Sequence, residues 1–129
     1  MRLFLLSLAA FTVSATVASA DFTINFGWGN TPSCNTGRAK TIGSPKFVVK
    51  GLPAGTDNVQ FRMKDLDAPS YNHGGGKVQM SSDGVVPAGA FKYKGPCPPN
   101  QVHTYQWTAT AKKGSTKLGT AKVQRKFPE

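Results

Sequence analysis

The sequence predicts an all-β fold, a small β-sandwich with little or no helix. Three observations carry this. Several segments alternate apolar and polar residues, which sets one face of each against a core. Short runs rich in Gly and Pro separate them. No window shows the helical spacing of apolar residues that a packed amphipathic helix needs.

The first twenty residues stand apart. Arg2 is the only charge before Asp21, the stretch between is apolar and rich in Ala, Ser and Thr, and it closes on Ala18-Ser19-Ala20. A basic start, an apolar middle and a small-x-small end make a signal peptide. Cleavage is expected after Ala20, residues 21–129 are expected to form one domain, and the protein is expected to be secreted or periplasmic. A membrane anchor would need about 20 strongly apolar residues, more than this stretch offers.

Within the domain, residues 21–28 alternate cleanly, with Phe22, Ile24, Phe26 and Trp28 on one face. The Gly29-Asn30-Thr31-Pro32-Ser33 run breaks that strand, and the polar residues 34–44 read as a loop. Residues 45–52 form a second strand with Phe47 and Val49 inward, and Pro45 fits a strand start or edge. Residues 58–65 form the third, with Val59, Phe61 and Met63 on one face. The same period puts Asp65 on that apolar face, where a carboxylate is costly unless paired or opened to a cleft. Residues 77–80 form a short strand with Val78 and Met80 inward, and apolar pieces follow at Val85-Val86 and Ala90-Phe91.

Residues 103–111 alternate without a fault: His103, Tyr105, Trp107, Ala109 and Ala111 share one face. The last strand covers residues 117–127, with Ala121, Val123 and Phe127 inward. Arg125 falls on that inward face too. It either partners a buried acid or marks where the strand leaves the sheet.

Cys34 and Cys97 are the only cysteines. In an exported chain one even pair is expected to form a disulfide. Two cysteines so far apart make a poor zinc signature. The chain carries 16 Lys and Arg against 6 Asp and Glu, a formal net charge of +10. Lys112, Lys113, Lys117, Lys122, Arg125 and Lys126 meet no acid before Glu129. Such a surface favours anionic partners: lipid head groups, acidic glycans or an acidic protein. No nucleic-acid motif is present, and nucleic acid is not expected as a partner.

The chemistry concentrates between Lys64 and Tyr105, which hold both histidines and five of the nine prolines. Asp65 ends its strand and His103 begins its own. If the two strands run antiparallel, both side chains open onto one rim from the same face. Tyr105 lies one step inward with a hydroxyl, and the Gly95-Pro96-Cys97-Pro98-Pro99 run makes a stiff wall. His73 precedes Gly74-Gly75-Gly76, whose backbone can turn N–H groups toward an anion. Histidines, hydroxyls and free N–H groups suit a phosphate-sized anion, and Asp65 or Asp67 could instead take a cationic amine. The Asp65-Leu66-Asp67 spacing alone is a weak metal signal, and no metal or cofactor is expected.

Four ordered blocks carry a family resemblance. Ser44-Pro45 leads to Gly51-Leu52-Pro53-Ala54-Gly55-Thr56, followed by Asp65-Leu66-Asp67-Ala68-Pro69-Ser70. Tyr93-Lys94-Gly95-Pro96-Cys97-Pro98-Pro99 and His103-Thr104-Tyr105-Gln106-Trp107 complete the set. In order and spacing they resemble the phosphatidylethanolamine-binding protein (PEBP) family, in its bacterial Raf-kinase-inhibitor-like branch. Leu66 stands where the family signature has proline, and the family's longer following loop is reduced to residues 71–76. The resemblance implies a β-sandwich with a small pocket at one end for phosphate-bearing ligands or phospholipid head groups. Carried over, the pocket residues are Asp65, His73, Pro98, His103 and Tyr105, with Asp67 and Pro69 shaping the adjoining loop.

The expected function is therefore binding of a phosphate-bearing small molecule or an anionic or phosphoethanolamine head group, with peripheral contact to a membrane surface. The alternative is a protein-level inhibitor or modulator that docks an acidic partner protein. No nucleophile elbow, no His-Glu-x-x-His motif and no Ser or Cys beside a base is present, so no enzymatic activity is expected.

Overall fold

The computed structural model describes residues 9–12 and 21–129. The expected signal peptide and its cleavage point lie almost wholly outside the described residues. Nine strands follow in order: β1 (Thr23–Phe26), β2 (Thr41–Gly43), β3 (Phe47–Lys50), β4 (Asn58–Asp65), β5 (Gly75–Gln79), β6 (Gly84–Val86), β7 (Lys92–Lys94), β8 (His103–Lys113) and β9 (Thr116–Phe127). No helix occurs among the described residues.

The strands form a four-stranded sheet ordered β5-β4-β8-β9, a three-stranded sheet ordered β1-β3-β6, and a β2-β7 pair; every pairing is antiparallel. The two larger sheets are the layers of a sandwich. Ile24, Phe26, Phe47, Val49 and Val86 of one layer share a single core with Val59, Phe61, Met63, Trp107 and Ala109 of the other. Aromatic rings fill it: Phe47 lies 4.5 Å from Phe61 and 5.1 Å from Trp107, centroid to centroid. Such packing adds about 0.5–1.5 kcal/mol per pair beyond the area buried.

The alternation that defined the main strands in the sequence matches their burial. β4 buries Val59, Phe61, Met63 and Asp65, and β8 buries every second residue from His103 to Ala111. Differences occur where periodicity is too short to see. β2, β6 and β7 have three residues each. β2 falls inside the stretch expected to be loop. It forms because Ile42 and the buried Tyr93 pair across β2-β7 against the core.

Arg125 resolves differently from both expectations. β9 stays paired through Phe127, opposite His103. The guanidinium donates to the Phe26 carbonyl at 2.6 Å, lies over the Phe26 ring, and pairs with Glu129 at the surface. It thus ties the two layers together at an edge.

The triglycine run is also corrected. Gly75 and Gly76 lie inside β5 rather than in an open anion-binding loop, and only Gly74 turns, with φ +73°. Their lack of a side chain has a steric cause. A Cβ on Gly75 would stand 1.8 Å from the Phe61 carbonyl oxygen, and one on Gly76 would stand 2.4 Å from the Phe91 ring. The glycines let β5 lie tight against its neighbours.

The Cys34–Cys97 disulfide is present and spans 63 residues. In the chain-entropy model such a loop contributes about 4 kcal/mol. Gly75→Ala is expected to destabilise the fold by about 3 kcal/mol or more, read as a lower urea midpoint. An unchanged midpoint would show that β5 does not press on β4 there.

Candidate functional site

β4 and β8 run antiparallel with Asp65 opposite Tyr105. That register brings the end of one strand to the start of the other, and Asp65 meets His103 there. His103 Nδ1 lies 2.6 Å from Asp65 Oδ2. Both residues are buried, Asp65 4 % and His103 8 % exposed. A carboxylate only accepts, so Nδ1–H is the donor. On the other side of the ring, His103 Nε2 is 2.9 Å from Gln101 Oε1.

The second Asp65 oxygen is used by the chain itself. Oδ1 accepts the backbone N–H groups of Asp67 at 2.9 Å and Ala68 at 3.1 Å. An aspartate that turns its own backbone in this way is well suited to end a strand. It also meets the cost of a buried carboxylate with two amides and an imidazole.

Asp67 points outward. Its Oδ2 accepts from Thr104 N at 2.7 Å, while Leu66 N donates to Thr104 O at 2.8 Å. The loop after β4 is thereby fastened to the first turn of β8, which holds His103 in place. Asp67 and Pro69 are both exposed and stand in the loop beside the cavity described below rather than in its walls. Pro69 borders a separate groove on the outer face of the sheet. Asp65, Asp67 and His103 bring ligand atoms within 4.8 Å of one another. Those of Asp65 and His103 and one oxygen of Asp67 are already committed to protein hydrogen bonds, so the cluster is accounted for without an ion.

His73 comes from the shortened loop and is only 3 % exposed. Its Nδ1–H donates to Lys94 O at 2.6 Å and its carbonyl accepts from Lys94 N at 2.9 Å, locking the loop to β7. With Nδ1 donating, Nε2 carries a free lone pair. Burial holds this imidazole below its ordinary value of 6.5, against the raising effects of the Lys94 carbonyl and the Asp65 charge. The ring stands edge-on to Tyr105, 5.6 Å between centroids, and Tyr71 covers its outer side at 4.6 Å. Burial, reinforced by the Asp65 charge, pushes the Tyr105 hydroxyl well above its usual range. It stays protonated and can donate.

These side chains surround a cavity of about 250 Å³ whose walls include Asp65, His73, Pro98, His103 and Tyr105. Thus five of the expected pocket residues are brought together, His73 included. Cys97 and Pro99 of the proline run complete the walls together with Gly37, Ala39, Ala68 and Tyr71, and these last four were not identified from the sequence. Gly37 and Ala39 arrive because the disulfide joins their loop to the proline run, with Asn100 N donating to Asn35 O at 3.1 Å and Gly95 N to Lys40 O at 2.9 Å. Cys34 signals that this loop meets the proline run, but nothing in the sequence of residues 35–40 singles out Gly37 or Ala39 as wall residues. Tyr71 carried a signal, an aromatic next to the candidate histidine, that was left unassigned. A larger open cleft of about 860 Å³ lies beyond the disulfide, between Trp28, Cys34, Gln101 and Phe127. Its walls hold Glu129 but no histidine, and both histidines belong to the smaller cavity.

Comparison with solved structures now places the architecture. Escherichia coli YbcL, described as a new member of the mammalian PEBP family, superposes with a TM-score of 0.60 at 18 % identity, over 84 % of this chain and 98 % of that one. The fold is PEBP-like. The sequence itself matches no family model and no curated protein. In this PEBP-like sandwich the cavity sits at one end of the four-stranded sheet, where β4 leaves and β8 enters.

The lowered His73 pKa has a consequence for stability. The unfolded chain takes up a proton near pH 6.5 that the folded protein resists. Stability is therefore complete above that pH and falls as the pH drops below it. His73→Gln is expected to flatten this acid limb in denaturant melts between about pH 5 and 7. An identical limb in the variant would assign the effect to other groups.

Proposed function

We propose that this is an exported binding protein whose cavity takes a phosphate group, free or carried by a small molecule or lipid head group. The observation that supports this most is the buried Asp65–His103 pair opening onto the same 250 Å³ space as Tyr105 and His73. The Tyr105 hydroxyl can donate to an anionic oxygen. The free His73 Nε2 can accept from a P–O–H group or a head-group ammonium. His103 offers a further polar ring atom, Nε2, if Gln101, an exposed side chain, swings aside. A ligand with both acceptor and donor atoms answers this set better than a purely anionic one.

The walls favour binding over turnover. No activated nucleophile stands beside a base, and Cys97 is held in the disulfide. That disulfide and the basic leader with its apolar middle fit an oxidising, extracytoplasmic compartment. The stapled proline wall keeps the cavity preformed, which limits the ordering cost of binding.

Tyr105→Phe removes a single hydroxyl and is expected to weaken phosphoethanolamine binding about tenfold, in line with one hydrogen bond to a charged group. His103→Ala is expected to abolish it. Titration calorimetry measures both, with circular dichroism reporting the fold. Unchanged affinity in a folded Tyr105→Phe and a folded His103→Ala protein would remove the cavity from the function.

A further inference from the structure

We propose that the outward face of the four-stranded sheet binds an anionic polysaccharide, a sugar chain bearing carboxylates or sulfates. This surface adjoins the phosphate-sized cavity and shares with it only Tyr71, which stands between the two. The core-facing positions of β4, β8 and β9 are apolar or belong to the cavity. The alternate positions hold Lys, Arg, Gln and Thr, with two exceptions: Asn58 is buried, and the apolar Leu118 is exposed near the start of β9.

The register sets these side chains in rows. Arg62, Thr108 and Lys122 stand side by side across three strands; Thr104 pairs with Lys126, and Gln106 with Lys64 and Gln124. Neighbouring strands are about 4.8 Å apart, so Arg62 and Lys122 flank Thr108 with about 10 Å between their backbones. No carboxylate occupies an outward position on these strands, since Asp65 points into the core. The positive field is therefore opposed only at the edge of the face, where the exposed Asp67 meets Thr104. Part of it is held in place, as Lys112 Nζ donates to Gln60 Oε1 at 2.9 Å.

The face is also shaped. A groove of about 420 Å³ runs along β4 and β8, bounded by Arg62, Lys64 and Thr108 on its floor and by Pro69 and Tyr71 of the neighbouring loop. Tyr71 is 42 % exposed: its ring packs against His73 and leaves its remaining surface open at the groove's rim.

Charge alone would serve any polyanion; the remaining chemistry selects among them. Peripheral membrane binding through an apolar face needs several side chains to insert between lipids, and the outward positions of β4, β8 and β9 carry one exposed apolar residue, Leu118, near the start of β9. Single-stranded nucleic acid wants several aromatic platforms on which bases stack, and this groove offers one ring. A sugar chain presents hydroxyls along with its charges. The threonine hydroxyls and glutamine amides between the cations can donate to and accept from those hydroxyls, while the cations take the carboxylates or sulfates. Tyr71 supplies one face for a sugar ring.

The test uses polygalacturonate and heparin as probes and compares two charge reversals of equal size. Arg62→Glu with Lys122→Glu alters the centre of the face; Lys46→Glu with Lys50→Glu alters exposed residues around β3 in the other layer. The first pair is expected to weaken binding of both glycans by at least about tenfold. The second is expected to leave it within about threefold, and saturating inorganic phosphate is expected to compete with neither. Tyr71→Ala is expected to weaken binding without changing its salt dependence. Equal losses in the two reversals, no binding at all, or tighter binding to anionic phospholipid vesicles or to single-stranded DNA than to either glycan would overturn the proposal.

Discussion

The 2.6 Å contact between Asp65 and His103 governs the end of the sandwich where the chemistry lies. Asp65 continues the row that packs Val59, Phe61 and Met63 into the core. An unpaired carboxylate there would cost several kcal/mol. Its partners are the imidazole and the two amides of the turn that it nucleates itself. Satisfying the charge therefore fixes three things together: where β4 stops, how the chain turns, and how β8 enters beside it. Asp67 completes the clamp from outside through Thr104.

Around this pair the walls are set by long-range ties. His73 is held through both its ring and its carbonyl by Lys94. The proline run is held by the disulfide and by backbone bonds to residues 35 and 40. Each wall thus comes from a segment with no regular structure of its own, fastened to one that has it. The result is a small rigid cavity on a rigid sheet, an arrangement that favours binding over conformational response.

The four-stranded sheet has two unlike faces because its strands alternate without interruption. One face supplies the core and, at its end, the cavity. The other carries the basic excess of the chain among threonines and glutamines. A net charge of +9 on residues 21–129, 15 basic against 6 acidic, is tolerable in so small a domain because part of it is spread over a solvated sheet face, where water screens repulsion. Arg125 is the exception. It sits on the inward row, yet its guanidinium reaches the edge and bridges the layers through Phe26.

Much of the fold was legible in the residues. β4, β8 and β9 are long enough for their period to show, and Asp65 and His103 stood out because each prolongs an apolar row. The three-residue strands were invisible, because so few residues hold too little of a period. Gly75 and Gly76 looked like a loop, since sequence does not show which carbonyl or ring fills the missing side chain's place. Asp67 and Pro69 belong to the loop beside the pocket, as the resemblance implies, and the turn at Asp65 sends them outward.

What the residues by themselves determined is the set of strands, the face each side chain takes and the sign of the surface charge. All three follow from local periodicity and composition, which hold whatever the partners are. Only the tertiary structure decided that His73 meets Tyr105, that Gly37 and Ala39 join the proline wall, and that Arg62 and Lys122 share a row. Those juxtapositions depend on pairing and register between segments far apart in the chain, set by the summed packing of the whole core.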